Sequence, residues 1–157
     1  MKKLLGMILT LALAAGLAWP VYAESSTVPP EVTAHAYLVM DAQTGQVLVQ
    51  KGGAERNYPA SITKIMTLAL AMEKCGGDMT QQVTVSPDAV YSLEAGSSHV
   101  ALQPGEVVSL NDLFHATILA SANDAANVLA EYTAGSMEAF VELMNAKAAE
   151  LGLAGTH

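Results

Sequence analysis

The chain has 157 residues, with 7 Lys and Arg against 15 Asp and Glu, a formal net charge of -8. That length suits one domain or part of one, and the acidic balance argues against a nucleic-acid partner, because no basic patch is available to displace counterions from phosphates. A hydrophobic fraction of 52% with 14% charged residues excludes a disordered acidic tail. A single cysteine, Cys75, makes no internal disulfide and supplies no set of zinc thiolates, and His35, His99, His115 and His157 are scattered without ligand spacing. No metal site is expected.

Met1-Lys2-Lys3 is a short basic stretch, Leu4 to Ala18 is almost wholly apolar, and Pro20 breaks the run ahead of Val21-Tyr22-Ala23. This is the layout of a secretory signal peptide over residues 1–23, with cleavage expected after Ala23, although an apolar run of this length also fits an uncleaved anchor. Cleavage takes Lys2 and Lys3 and leaves 5 basic against 15 acidic side chains, a net charge of -10. The folded protein is therefore expected to be exported and to work on the outer side of the cytoplasmic membrane. Cys75, on an apolar run near a helix end, reads as a buried small hydrophobe.

Residues 24–34, with Pro29-Pro30, read as an extended leader. Tyr37-Leu38-Val39, the turn Asp41-Ala42-Gln43-Thr44-Gly45 and the alternating Gln46 to Gln50 predict a β-hairpin. Two strands do not stand alone, so a larger sheet is expected around them. After Pro59 the pattern is helices and loops. Ile62 to Lys74 is apolar nearly all round, which predicts a buried helix ended by Gly76-Gly77. Ser86-Pro87-Asp88 starts a short helix with proline in the first turn, and Val100 to Leu102 and Glu106 to Val108 flank a Pro104-Gly105 turn. Ser109 with Asp112 resembles a capping box for a helix to about Leu119. Two more helices, Asp124 to Tyr132 and Met137 to Leu151, end at Gly135 and Gly152. The expected class is α+β: a hairpin followed by a helical cluster.

Ser61-Ile62-Thr63-Lys64 follows a loop and opens the apolar helix. Serine and lysine at this spacing share one helix face. A serine at the helix N-terminus meets free N–H groups and a favourable dipole for developing negative charge. A lysine within apolar surroundings is pushed toward its neutral amine, which can take a proton from the serine as its oxygen attacks a carbonyl. The pattern alone also fits a capping serine beside a surface lysine. Ser121-Ala122-Asn123 lies sixty residues after Ser61 in a gap between helices. It offers a hydroxyl to relay a proton and a carboxamide to hold a substrate; equally, Ser121 ends one helix and Asn123 caps the next.

Serine-x-x-lysine with serine-x-asparagine is the pattern of penicillin-binding proteins and class A β-lactamases. The resemblance extends well beyond these two elements. Asp41-Ala42-Gln43-Thr44-Gly45, Pro59-Ala60-Ser61-Ile62-Thr63-Lys64-Ile65-Met66-Thr67, Gly96-Ser97-Ser98, Pro104-Gly105-Glu106, Ser121-Ala122-Asn123-Asp124-Ala125-Ala126 and Met144-Asn145 follow, in order, the signature segments of one family of penicillin-binding proteins. The stretch Tyr37 to His157 resembles the N-terminal part of the D-alanyl-D-alanine carboxypeptidases of peptidase family S11. The resemblance implies a β-lactamase/DD-peptidase-like fold, with residues 35–157 as a partial catalytic domain. It implies Ser61 as acyl-enzyme nucleophile, Lys64 as general base, Ser121 as proton relay, Asn123 on the substrate amide, and Ser97 in a loop beside the cleft. It implies a peptidoglycan stem peptide as substrate, β-lactam antibiotics as acylating inhibitors, and no cofactor. Alanine at position 122 departs from the Ser-Asp-Asn usual in class A β-lactamases.

The family's third motif, Lys-Thr-Gly, does not occur in the 157 residues. In the family it holds the substrate carboxylate and leads into one oxyanion donor, whose loss typically costs on the order of 10²–10³ in rate. The expectation is therefore a front half of a carboxypeptidase, poorly active by itself, with a non-catalytic envelope remnant or binding module as the alternative. Association with the membrane through a further amphipathic segment is possible in the family and is not written in residues 24–157.

Overall fold

The computed structural model describes residues 31–157, in two compact units divided between Glu55 and Arg56. The expected signal peptide and all but the last residues of the leader lie outside the described residues. In the first unit, β1 (Tyr37–Met40) pairs antiparallel with β2 (Val47–Lys51), Tyr37 opposite Lys51 and Val39 opposite Val49. The register shifts at Val39/Met40. The turn between them is fastened by Asp41, whose carboxylate accepts from the Gln43 and Thr44 N–H groups at 3.1 and 2.7 Å and from the Thr44 hydroxyl at 2.7 Å. Those donors, the Thr44 hydroxyl foremost, hold the Asp41 carboxyl below its ordinary pKa. The larger sheet expected around this hairpin is not found among the described residues. Leu38, Val39, Met40, Val47 and Leu48 are all exposed.

The second unit begins with a 3-10 turn at Ala60–Thr63 that runs into α1 (Lys64–Cys75). Gly76, in the left-handed conformation at φ 60°, closes α1 by donating to the Met72 carbonyl. Then come β3 (Gln82–Thr84), α2 (Pro87–Tyr91), β4 (Val107–Ser109) and α3 (Leu110–Leu119). The last helices are α4 (Asn123–Ala134) and α5 (Met137–Glu150). The capping expectations hold: Ser86 accepts from the Ala89 N–H and Ser109 from the Asp112 N–H, while the Ser109 hydroxyl donates to the Asp112 carboxylate at 2.7 Å.

Helix α4 is the axis of this unit, packing against α1, α2, α3 and α5. Val128 and Leu129 on α4, Leu110 and Leu113 on α3, and Val85 in the loop after β3 are each 1% exposed or less. Burying each such side chain stabilises the fold by about 1.5–3 kcal/mol. A smaller cluster joins Leu70 of α1, Ala130 of α4 and Phe140 of α5. Cys75 is buried at the end of α1, as its setting predicted. Among the described residues no helix is long and apolar enough to cross a membrane.

Two expectations are corrected. Helix α1 is not buried all round: Thr67, Leu70, Ala71 and Cys75 face inward, but Ile65 is 62% exposed and Met72 42%. An apolar surface shows what a helix can bury, and among the described residues the inward face of α1 is the one packed on α3, α4 and α5. Strands also recur after Pro59, because β3 and β4 form a second antiparallel pair with Val83 opposite Val108. Three residues per strand are too few to show an alternation.

Candidate active site

The 3-10 turn places Ser61 just ahead of α1, on the surface, and Lys64 half-buried at the start of the helix. The Lys64 Nζ lies 3.5 Å from Ser61 Oγ, at the long end of a hydrogen bond. Burial pushes the Lys64 ammonium below the usual lysine range, toward the neutral amine. Ser61 is thus not at the first position of the α-helix, as its spacing suggested, but in the tighter turn that leads into it. The residue before it, Ala60, has φ 47°.

The second pair comes from the junction of α3 and α4. Ser121, sixty residues distant in sequence, stands with its Oγ 2.8 Å from Ser61 Oγ. The packing of α4 on α1 brings the two hydroxyls together. One capping alternative holds and the other does not: Ser121, left-handed directly after the C-cap Ala120, does end α3, whereas Ala122 is the N-cap of α4 without a side-chain bond and Asn123 is already helical. Ser121 has φ 54°, a left-handed conformation that disfavours any side chain by about 1–2 kcal/mol. Such strain persists only where the surroundings over-determine it, and it gathers at functional positions.

Asn123 donates through its amide nitrogen to the Ser98 carbonyl at 3.0 Å, and its backbone N–H donates to the same oxygen at 2.8 Å. The side-chain oxygen of Asn123 is not used in that bond. The loop residue predicted beside the cleft, Ser97, is half-buried, and its hydroxyl has no partner among the described residues. Its neighbour Ser98 makes the contacts with the junction, donating its hydroxyl to the Ala120 carbonyl at 2.7 Å. Sequence reasoning quoted Ser98 and Asp124 within the signature segments but gave neither a role of its own; Asp124 is 1% exposed and its carboxylate accepts several backbone N–H groups.

Beside these groups runs an open cleft of about 370 Å³, lined by Ser61, Lys64, Asn123, Asn127, Phe140 and Met144 among others. Its lining combines polar groups of α1 and α4 with apolar side chains of α5, as suits a small polar substrate with an aliphatic portion. Chemically, the arrangement supplies an exposed hydroxyl with a depressed amine and a second hydroxyl in reach. These are the parts of an activated serine nucleophile.

The family model for the D-alanyl-D-alanine carboxypeptidases, peptidase S11, matches residues 23–157. Among curated proteins, the chain is 41% identical over 140 residues to the D-alanyl-D-alanine carboxypeptidase DacC of Escherichia coli K12, covering 85% of this chain and 35% of that protein. It is 34% identical over 159 residues to DacF of Bacillus subtilis 168, covering 99% of this chain and 41% of that one. Among solved structures, penicillin binding protein 6B from Escherichia coli superposes with a TM-score of 0.76 at 37% identity, over 85% of this chain and 44% of that one. The fold is thus the α+β fold of the penicillin-binding proteins, in its N-terminal part. The chain spans about two-fifths or less of the curated relatives named here.

Proposed function

The chain belongs to the D-alanyl-D-alanine carboxypeptidase family, peptidase S11, and from that premise we propose that the protein is a serine-type D-Ala-D-Ala carboxypeptidase acting on peptidoglycan stem peptides outside the cytoplasmic membrane. The observation that carries this reading is the convergence of Lys64 Nζ and Ser121 Oγ, 3.5 and 2.8 Å away, on the exposed Ser61 Oγ. Ser61 Oγ attacks the carbonyl of the penultimate D-alanine while the neutral Lys64 amine takes its proton. The C–N bond then breaks, Ser121 relays the proton from Lys64 to the departing D-alanine nitrogen, and an acyl-enzyme ester remains on Ser61 for water to hydrolyse. Asn123 is assigned to the substrate amide, and Ser97 to the rim of the cleft. A β-lactam presents the same carbonyl in a ring, and its opening acylates the same hydroxyl.

The alternative is a non-catalytic binding module in the cell envelope, which keeps the same fold without turnover. Labelling the intact gene product with a fluorescent penicillin separates the two. Covalent labelling that disappears in Ser61→Ala, with release of D-alanine from an acyl-D-Ala-D-Ala peptide, supports the enzyme. A soluble, folded protein that takes no label and releases no D-alanine refutes it and supports the binding module.

A further inference from the structure

Ser121 holds a conformation that its own chemistry resists, and Ala120 before it and Asn123 two residues after it are both fastened to one residue. Ser98 donates its hydroxyl to the carbonyl of Ala120, and its carbonyl accepts both the backbone N–H and the side-chain amide of Asn123. Ser121 is therefore bracketed between two anchored residues. Ser98 itself belongs to no helix or strand, so something must fix it in turn.

That anchor is Asp124. Its two carboxylate oxygens each lie 3.2 Å from the Val100 N–H, one takes the Leu102 N–H at 3.0 Å, and the other its own helix's Ala125 N–H at 2.9 Å. Val100 and Leu102 point their N–H groups at one carboxylate across Ala101, which is left-handed at φ 60°; such a turn of the backbone makes a concave anion site. Among the described residues no cation pairs with this buried carboxylate. Backbone donors, one of them in the first turn of α4, satisfy its oxygens instead. The circuit is closed: Asp124 holds residues 100–102, these position Ser98, and Ser98 holds the residues either side of Ser121.

We propose that Asp124 and Ser98 are positioning residues, a clamp that keeps Ser121 left-handed with its hydroxyl on Ser61. The proposal rests on the reading of Ser121 as the relay that protonates the departing nitrogen. A loosened relay slows expulsion of an amine, which needs a proton, and scarcely affects a thiolate, which leaves without one. A general loss of structure slows both.

The test compares an acyl-D-Ala-D-Ala peptide with the corresponding thioester on the intact gene product, its Asp124→Asn variant and its Ser98→Ala variant. Asparagine keeps the shape but turns one acceptor into a donor facing an N–H. In both variants kcat on the peptide is expected to fall about tenfold or more, a fraction of what a proton-transfer group typically contributes. The thioester kcat is expected to change by less than about threefold, and KM for either substrate by less than about twofold. Equal losses on the two substrates, or an unchanged peptide kcat, overturn the clamp. Should Asp124→Asn fail to fold, Ser98→Ala, at an exposed side chain, tests the hydroxyl arm of the clamp by the same comparison, since it removes the bond to the Ala120 carbonyl and leaves those from Asn123 to the Ser98 carbonyl; an unchanged peptide kcat there overturns the role of Ser98. A wild-type protein that processes neither substrate and takes no penicillin refutes the enzymatic reading itself, before any variant is compared.

Discussion

Replacing Ser121 in two ways separates what its hydroxyl does from what its backbone costs. Ser121→Ala and Ser121→Gly both remove the 2.8 Å bond to Ser61, a loss of about 0.5–1.5 kcal/mol for an ordinary hydrogen bond. Alanine keeps the strain of φ 54°, whereas glycine is released from a penalty of about 1–2 kcal/mol. Against that relief, glycine costs about 0.5–1 kcal/mol through the extra freedom of its unfolded chain. Ser121→Ala is therefore expected to lose about 1 kcal/mol, and Ser121→Gly to stay near wild type. The peptidase activity of both should fall alike, by about 10²–10⁴, the usual contribution of a proton-transfer group. Urea unfolding gives the stabilities, and D-alanine release gives the rates. If the two variants prove equally stable, Ser121 is not strained in solution. If either retains full peptide turnover, Ser121 is not the relay.

Burial lowers the pKa of Lys64 in the folded protein, so acylation by penicillin should accelerate as pH rises through that depressed value and the amine loses its proton. Lys64→Arg, which stays charged, should lose about 10²–10⁴ in acylation rate and show no such pH dependence. Because the unfolded chain holds that proton more tightly, the penalty is fully present below the folded pKa and fades between it and the unfolded value. Lys64→Met should consequently be no less stable than wild type at neutral pH while inactive, as thermal unfolding and labelling together can check. Phe140→Ala, at a side chain 2% exposed between Leu70 and Ala130, should cost about 3–5 kcal/mol in urea unfolding.

What could be read in the sequence was mostly local. Ser61 and Lys64 share a face because the helical repeat puts them there, and Ser86, Ser109, Gly76 and Gly135 mark ends that the structure reproduces. The 2.8 Å approach of Ser121 to Ser61 depends instead on how α4 packs against α1, which no local pattern encodes; only the resemblance to a family pointed to it. The left-handed turn at Ser121 was hidden because the residue is not glycine. The role of Asp124 was overlooked for a related reason: an acid in the first turn of a helix ordinarily faces water and the dipole, and nothing nearby in sequence announces that the N–H groups of Val100 and Leu102 will meet it. Strands β3 and β4 were too short to declare a period.

Among the described residues three that are not glycine have positive φ, namely Ala60, Ala101 and Ser121. Ala60 immediately precedes Ser61, Ala101 shapes the cradle of Asp124, and Ser121 carries the second hydroxyl. Each strained position costs roughly 1–3 kcal/mol, a notable share of the roughly 5–15 kcal/mol by which domains are typically stable. The alternation along the start of α4 shows how that cost is sustained. Ser121 and Asn123 are half-buried beside the site, while Ala122, Asp124 and Ala125 are each 1% exposed or less. Core and site are interleaved residue by residue, so the burial that stabilises α4 also holds the strained turn in place. Rigidity in the site therefore follows from the packing of α4, and a core change near Ala125 or Val128 should reach Ser121 without touching it.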